Sequence, residues 1–391
     1  MKIVGVICEY NPFHLGHRKQ FDMIRREFGE DAAIVCLMSG NFVQRGAPAV
    51  FHKSLRAKAA VLSGGDLVLE LPVNYALSSA KGFAAGGVKI LSPFCDYLCF
   101  GAESGNADTL MATASSLLQP EFSSALRAQL ERGISFPTAR AAALKEMGCD
   151  SGLLENPNDI LAVEYCKAIL AQDSPMQILP IRRQGSYHAS IPDPENPSAT
   201  SLRNLIAEGE KWLDYVPEET KDTFKDAPVH TLAAGERAIL ARLRTMKDEE
   251  FEALPYGSEG LWRKFMHACR SCDTLENIIA ATKSKRYTRS RIDRMVMCAF
   301  LGLTQQQLAA PVPYTRVLGL GKNGPQVLNK ARLSGEFLHV GEETTHPYWL
   351  LERRCSDLYG LFAVTAPEPA GQEPKQRVYI RKSKPPAKPE A

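Results

Sequence analysis

The chain opens K-I-V-G-V-I-C-E-Y-N-P-F-H-L-G-H-R-K, from Lys2 to Lys19, and the fold follows from how this stretch is read. Ile3, Val4, Val6, Ile7 and Cys8 surround one glycine. Such a short apolar run suits a strand buried on both faces of a parallel sheet. The run stops at Glu9-Tyr10-Asn11-Pro12, which is turn chemistry. His14-Leu15-Gly16-His17 comes next, and an amphipathic helical pattern continues through Phe21, Ile24 and Phe28. Strand, tight turn and helix N-terminus together make a seat for phosphate, because backbone N–H groups and the helix dipole both face the ligand.

The two histidines add donors that a glycine-rich loop lacks. Three residues apart, both can project from the first helical turn toward one bound group. Imidazole N–H groups there would stabilise charge building on a nucleotide's phosphates as pyrophosphate leaves. Gly16 between them would let the backbone approach closely. Three readings of the pair are open on spacing alone: nucleotide binding, surface or capping residues, and a metal pair. Zinc-binding histidines on a helix usually sit four apart and need a third ligand.

Outward from this stretch, the first half alternates short apolar runs with helical patterns. Ala33–Met38, Leu67–Leu71, Tyr97–Phe100 and Gln177–Ile181 read as further strands, and His52–Leu62 and Ser78–Leu91 as helices between them. This alternation predicts a doubly wound parallel sheet, whose ligands sit at the carboxyl ends of the strands. Polar residues follow each strand. Gln44 and Arg45 lie in the loop after the second, and Lys53 and Arg56 share a helical face beyond it, placed to help neutralise a triphosphate or simply to be solvated. Gly101 ends the fourth strand, where glycine permits close approach to a base or ribose. Asn158 or Asp159 would cap the helix from Ile160 to Leu170. Arg182 and Arg183 end the fifth strand, and the pair suits phosphate. Ser198-Ala199-Thr200-Ser201-Leu202-Arg203 opens another helix, whose hydroxyls and N–H groups make a second phosphate cradle.

From about Ile206 helical patterns dominate: Glu236–Met246, Trp262–Ala268, Leu275–Ala281 and Arg289–Leu301. Their basic centre is Lys283, Lys285, Arg286, Arg289, Arg291 and Arg294, with Tyr287 among them. Basic residues with an aromatic suit RNA, binding phosphate and stacking a base, though such a run is also what a solvated helix face looks like. Arg316, Lys322 and Asn323 would extend that surface. The stretch from about Ala366 is rich in proline and alternating charge and predicts an unstructured tail.

The 391 residues suffice for two domains with cores of their own. An apolar fraction of 45% and a charged fraction of 23% are those of an ordinary globular protein. A net charge of +3 does not by itself announce a nucleic-acid binder. No apolar stretch approaches a membrane span, and the glycine-punctuated start is too short for a signal peptide, so the expectation is a cytoplasmic protein with no membrane partner. Of ten cysteines, most lie inside apolar runs and read as small buried hydrophobes. Cys269 and Cys272 form a lone C-x-x-C, too little to assign zinc.

H-L-G-H after the first strand resembles the H-x-G-H signature of nucleotidyltransferases and class I synthetases. The longer string G-V-I-C-E-Y-N-P-F-H-L-G-H resembles the bacterial tRNA(Met) cytidine acetate ligase family. The likeness continues at M-S-G-N-F-V-Q-R-G-A-P-A (Met38–Ala49), D-L-V-L-E-L-P (Asp66–Pro72), F-G-A-E (Phe100–Glu103), P-N-D-I-L (Pro157–Leu161), S-A-T-S-L-R (Ser198–Arg203), K-R-Y-T-R-S-R (Lys285–Arg291) and Y-T-R-V-L-G (Tyr314–Gly319). It covers nearly the whole chain in order. A synthetase-type K-M-S-K-S loop is absent.

The resemblance implies an α/β fold: a Rossmann-like nucleotidyltransferase domain with a parallel sheet over residues 1–205, a mostly helical tRNA-binding domain over 206–365, and the tail from 366 to 391. It implies an ATP-dependent ligase that activates acetate as acetyl-adenylate and acetylates N4 of the wobble cytidine of elongator tRNA(Met). A small-molecule adenylyltransferase of the same superfamily is the alternative, and a non-catalytic RNA binder a third reading. The implied ATP site is Ile7, Cys8, Glu9, Tyr10, Asn11, Pro12, Phe13, His14, Leu15, Gly16, His17, Arg18, Lys19 and Gln20, with Gly101, Asn158, Arg182, Arg183, Ser198, Thr200 and Arg203. His14, His17 and Lys19 would carry the chemistry, and Lys283, Lys285, Arg286, Tyr287, Arg289 and Arg291 would bind tRNA. Magnesium would accompany ATP, with Glu9 or Asp66 as its conceivable ligands.

Overall fold

The computed structural model describes residues 1–149, 151–182, 193–194 and 196–381. Five strands come from the first half: β1 (Ile3–Cys8), β2 (Ala33–Ser39), β3 (Leu67–Leu71), β4 (Tyr97–Ala102) and β5 (Gln177–Arg182). They lie parallel in the order β3-β2-β1-β4-β5, so the first strand is central. The strand order reverses at β1, and the gap between β1 and β4 is the switch point at which such sheets bind ligands. The crossovers carry the helices α1 (Leu15–Phe28), α2 (Lys53–Leu62), α3 (Ala80–Leu91) and α4 (Pro157–Ala171), and α5 (Ala199–Glu208) follows β5.

Alternate residues of each strand enter opposite cores, as the two-residue period requires. Ile3, Val35, Leu37, Leu67 and Leu69 pack on one face with Val88, Leu91 and Val163. Val4, Val6, Ile34, Cys36 and Val68 pack on the other with Phe21, Ile24, Ala60 and Val61. A third apolar cluster fills the helical half, built from α6 (Glu236–Thr245), α7 (Leu261–Ser271), α8 (Leu275–Thr282) and α9 (Arg289–Leu301).

The second half does not stay helical. Thr315–Leu320 forms β6, buried along its whole length and antiparallel to β3. Phe337–His339 (β7) and Tyr379–Ile380 (β8) pair parallel with β6. Among the described residues the main sheet therefore has eight strands, and chain well beyond residue 205 completes it. The physical reason is the exposed edge that β3 would otherwise present. Between β7 and β8 runs α10 (Tyr348–Tyr359).

The unstructured-tail expectation also fails for residues 366–381. Glu373 is fully buried and pairs with Lys53 at 2.8 Å, and β8 closes the sheet. A proline-rich composition says little about a segment in which one of two glutamates finds a buried lysine.

Candidate active site

His14 is the N-cap of α1, and its Nδ1 accepts the Gly16 N–H at 3.1 Å. His17 Nδ1 accepts the His14 N–H at 3.2 Å, which completes a reciprocal capping box. Both Nδ1 atoms are acceptors, so the neutral rings carry their proton on Nε2. Each histidine thus offers an N–H donor. The rings stack with centroids 3.7 Å apart, and Tyr10 and Phe13 pack on His17 at 4.8 and 5.5 Å. A Cβ on Gly16 would sit 3.0 Å from the His14 ring, tighter than ordinary contact, so glycine there keeps that ring in place. The capping reading of the pair is therefore realised in the fold. Among the described residues no three His, Cys, Asp or Glu side chains gather as a metal site.

A second helix start converges on the first. Ser198 caps α5 by accepting the Ser201 N–H at 3.1 Å. One turn in, Arg203 donates to the Asn11 carbonyl at 2.8 Å and to Thr200 Oγ1 at 3.0 Å. Lys19 Nζ reaches Asn196 Oδ1 at 3.0 Å. The Pro197 carbonyl lies 3.6 Å from where a Gly16 side chain would begin. The turn itself is braced from inside: Asn11 Oδ1 accepts the Val50 N–H at 2.7 Å, and the Asn11–Pro12 bond is cis. Two helix N-termini, two imidazoles, a lysine and an arginine thus share one corner at the carboxyl end of β1.

The other edge of the site is built by carboxylates. Glu103, just after β4, accepts from the Asn158 side chain at 2.6 Å and from the Asp159 N–H at 2.8 Å. Asp159 returns a bond from the Ser104 N–H at 3.0 Å. The cap of α4 is therefore supplied across space by Glu103, and not by Asn158 or Asp159 as the local sequence predicts. The Glu103 bond ties the Asn158 side chain to the residue that follows β4. Arg182 is the exposed last residue of β5, and Arg183 lies outside the described residues.

Several expected site residues are engaged elsewhere. Arg18 pairs with Asp22 at 3.1 Å and with Glu219. Gln20 donates to Cys99 Sγ at 3.4 Å. Ile7 and Phe13 pack in apolar clusters, and burial raises the Cys8 thiol and the Tyr10 phenol well above their ordinary ranges, which leaves both un-ionised. Leu15 is half-buried. Lys53 and Arg56 are 3% and 0% exposed and do not face a triphosphate. Arg56 donates to the carbonyls of Glu9 at 2.5 Å, Ser39 at 3.1 Å and Gly40, stapling the ends of β1 and β2. Burial would lower the Lys53 pKa, but Glu373 and Glu70 on either side hold it above the usual value. Asp66 sits at the opposite end of its strand, accepting from the N–H groups of Ile34 at 3.0 Å and Asn323 at 2.9 Å, so it is no magnesium ligand here. Glu9 follows β1 at the site end, and its Oε1 accepts the Gln44 N–H at 2.8 Å.

The basic segment is partly neutralised. Arg286 pairs with Glu259 at 3.0 Å, and Arg289 makes a bidentate pair with Glu276 at 2.5 and 2.7 Å. Tyr287 is only 9% exposed, lies under Arg291 at 4.9 Å and donates to Glu259, so its ring is covered and not a stacking platform. Lys283 and Lys285 are exposed. Arg316, 1% exposed, is tied to Glu352 and two carbonyls inside the fold.

Residues 1–371 match the family model described as HIGH nucleotidyl transferase. The tRNA(Met) cytidine acetate ligase of Thermosipho melanesiensis is 33% identical, covering 88% of this chain and 85% of the relative. That of Acetivibrio thermocellus is 32% identical over 97% of this chain and the relative's full length. The chain belongs to the tRNA(Met) cytidine acetate ligase family. The fold agrees: apo Thermotoga maritima TmcAL superposes with a TM-score of 0.87 at 28% identity, covering 97% of this chain and 99% of that one. The same protein bound with alpha-thio ATP gives 0.85 at 29% identity, with the same coverage. Among the described residues, no helix is long and apolar enough to cross a membrane.

Proposed function

We propose that this chain is an ATP-dependent acetate ligase acting on the wobble cytidine of elongator tRNA(Met), and that the corner at the end of β1 is where it activates acetate. The observation that carries the reading is the convergence of the α1 and α5 N-termini on one spot, joined by the Arg203–Asn11 and Lys19–Asn196 bonds. Such a corner binds and stabilises phosphate charge and supplies no covalent nucleophile. Acetate oxygen attacks the α-phosphorus of ATP and pyrophosphate leaves. His14 and His17 donate Nε2–H bonds to the phosphate oxygens as charge builds, and Lys19 and Arg203 hold the departing group. Arg182 extends the positive rim beside β4, and Gly101 and Asn158 take the nucleoside. The cytidine amine then attacks the acetyl carbon, loses its proton, and AMP leaves. A magnesium ion accompanying ATP would take most of its ligands from phosphate and water, with Glu9 the carboxylate at the right end of the sheet. The work belongs in the cytoplasm, where tRNA is.

Oxygen labelling tests the chemistry. Acetate labelled with 18O in both carboxylate oxygens should leave one label in AMP for each acetyl transferred. AMP without label would rule out an acetyl-adenylate.

A further inference from the structure

A groove of about 380 Å³ opens between the sheet and the helical half. Ser78 and Ser79, just before α3, form one wall, and Tyr256, Ser258, Arg291 and Gln305 are among the residues opposite. Its inner wall connects directly to the site. The Ser78 carbonyl accepts from Gln44 Nε2 at 3.3 Å, and the Gln44 N–H is the donor to Glu9. Arg294, from α9, donates to the Gln44 carbonyl at 3.4 Å. Gly46, at φ +78°, lets this loop lie against α9, since a Cβ there would come within 2.4 Å of the Arg294 nitrogen.

The lining mixes polar side chains with Leu308 and Ala309 and contains one fixed cation. Arg291 Nε and Nη2 donate to the Tyr256 carbonyl at 3.0 and 2.8 Å, and Nη2 also reaches Ser258 Oγ at 2.9 Å. Its Nη1 makes no hydrogen bond among the described residues. A guanidinium immobilised on one edge with donors left on the other is pre-organised for an anion. The volume lies in the small-molecule range, so it admits one extruded nucleotide and neither a duplex nor a folded protein segment.

We propose that this groove seats the acceptor nucleotide of the RNA, its phosphate on Arg291 and its sugar and base between the serine hydroxyls and Gln305, with the amine directed toward the Glu9 end. The inference rests on the acetyl-transfer reading and adds to it the place where the acceptor sits.

Ser79→Tyr fills the groove at an exposed residue that makes no helix-capping bond. Its acetylation kcat/KM on unmodified tRNA(Met) transcript should fall about tenfold or more, with acetate-dependent ATP–pyrophosphate exchange changed less than about threefold. Arg291→Gln should raise KM for the transcript and flatten its salt dependence. Wild-type acetylation by Ser79→Tyr would overturn the proposal. A transcript with 5-iodocytidine at the acceptor position, photocrosslinked to the wild-type protein, gives an independent answer. Crosslinks to peptides holding Ser78–Ser79 or Ser258 support the groove, and crosslinks confined elsewhere refute it. Should the wild type neither exchange nor acetylate, the functional reading fails, and the crosslink still decides whether a nucleotide enters the groove.

Discussion

Each histidine braces the start of α1 and, in the proposed reaction, donates to phosphate, and the two jobs are separable by experiment. Nδ1 is tied into the start of α1, and Nε2 is the proposed donor to phosphate. His17→Ala should lower acetate-dependent pyrophosphate exchange by about 10²-fold, ~3 kcal/mol of transition-state stabilisation. The lost capping bond should cost only about 1 kcal/mol in thermal or urea unfolding. A comparable loss of both would mean that the ring is only structural. Glu352 supplies a pH test of the buried charges behind the site. Burial, helped by the nearby Glu70, outweighs Arg316 and pushes it up to about 7. A carboxyl raised in the folded state contributes stability that is fully present below its unfolded pKa and is lost as pH rises through 7. The Tm advantage of wild type over Glu352→Gln should therefore shrink between about pH 4.5 and 7. An advantage that stays constant across that range would contradict the assignment. The helix starts at His14 and Ser198 were legible because capping chemistry is local. Lys53 and Arg56 were not: a cation on a helix reads the same whether it meets phosphate or a buried carboxylate far along the chain.

At the scale of elements, strands and helices of the first half were legible from periodicity. Leu67–Leu71 and Arg289–Leu301 match the expected bounds, and the other strands run one or two residues longer. The cap of α4 was not legible, because Glu103 lies 55 residues from Asn158 in sequence. Its location after β4 could have been read as a polar residue at a strand end, but the sequence does not say which helix it meets. Glu103→Gln keeps one acceptor and loses the charge that faces the helix N-terminus. It should destabilise the protein by about 1 kcal/mol and raise KM for ATP several-fold, because Asn158 loses its anchor. An unchanged KM would remove Asn158 from the nucleotide site.

Across the whole molecule, composition misjudged how the halves combine. The sheet is finished by β6 and β8, from regions that read as helical and as unstructured, and the buried Lys53 gains its second carboxylate only when residue 373 returns to it. A chain ending at residue 365 would leave Lys53 with one carboxylate in place of two and uncover one side of β6. It should lose several kcal/mol of stability, since removing a partner from a buried ion pair typically costs about 3–5 kcal/mol. An unchanged Tm would mean that the terminal segment is dispensable to the fold.

This fold joins acetate to RNA at the expense of ATP. Purified protein incubated with unmodified tRNA(Met), acetate and ATP, followed by nucleoside mass spectrometry, tests it most directly. The prediction is N4-acetylcytidine that vanishes when either ATP or acetate is omitted and that falls with His17→Ala. An adenylated small molecule formed without any modified base would contradict it and point to a small-molecule adenylyltransferase.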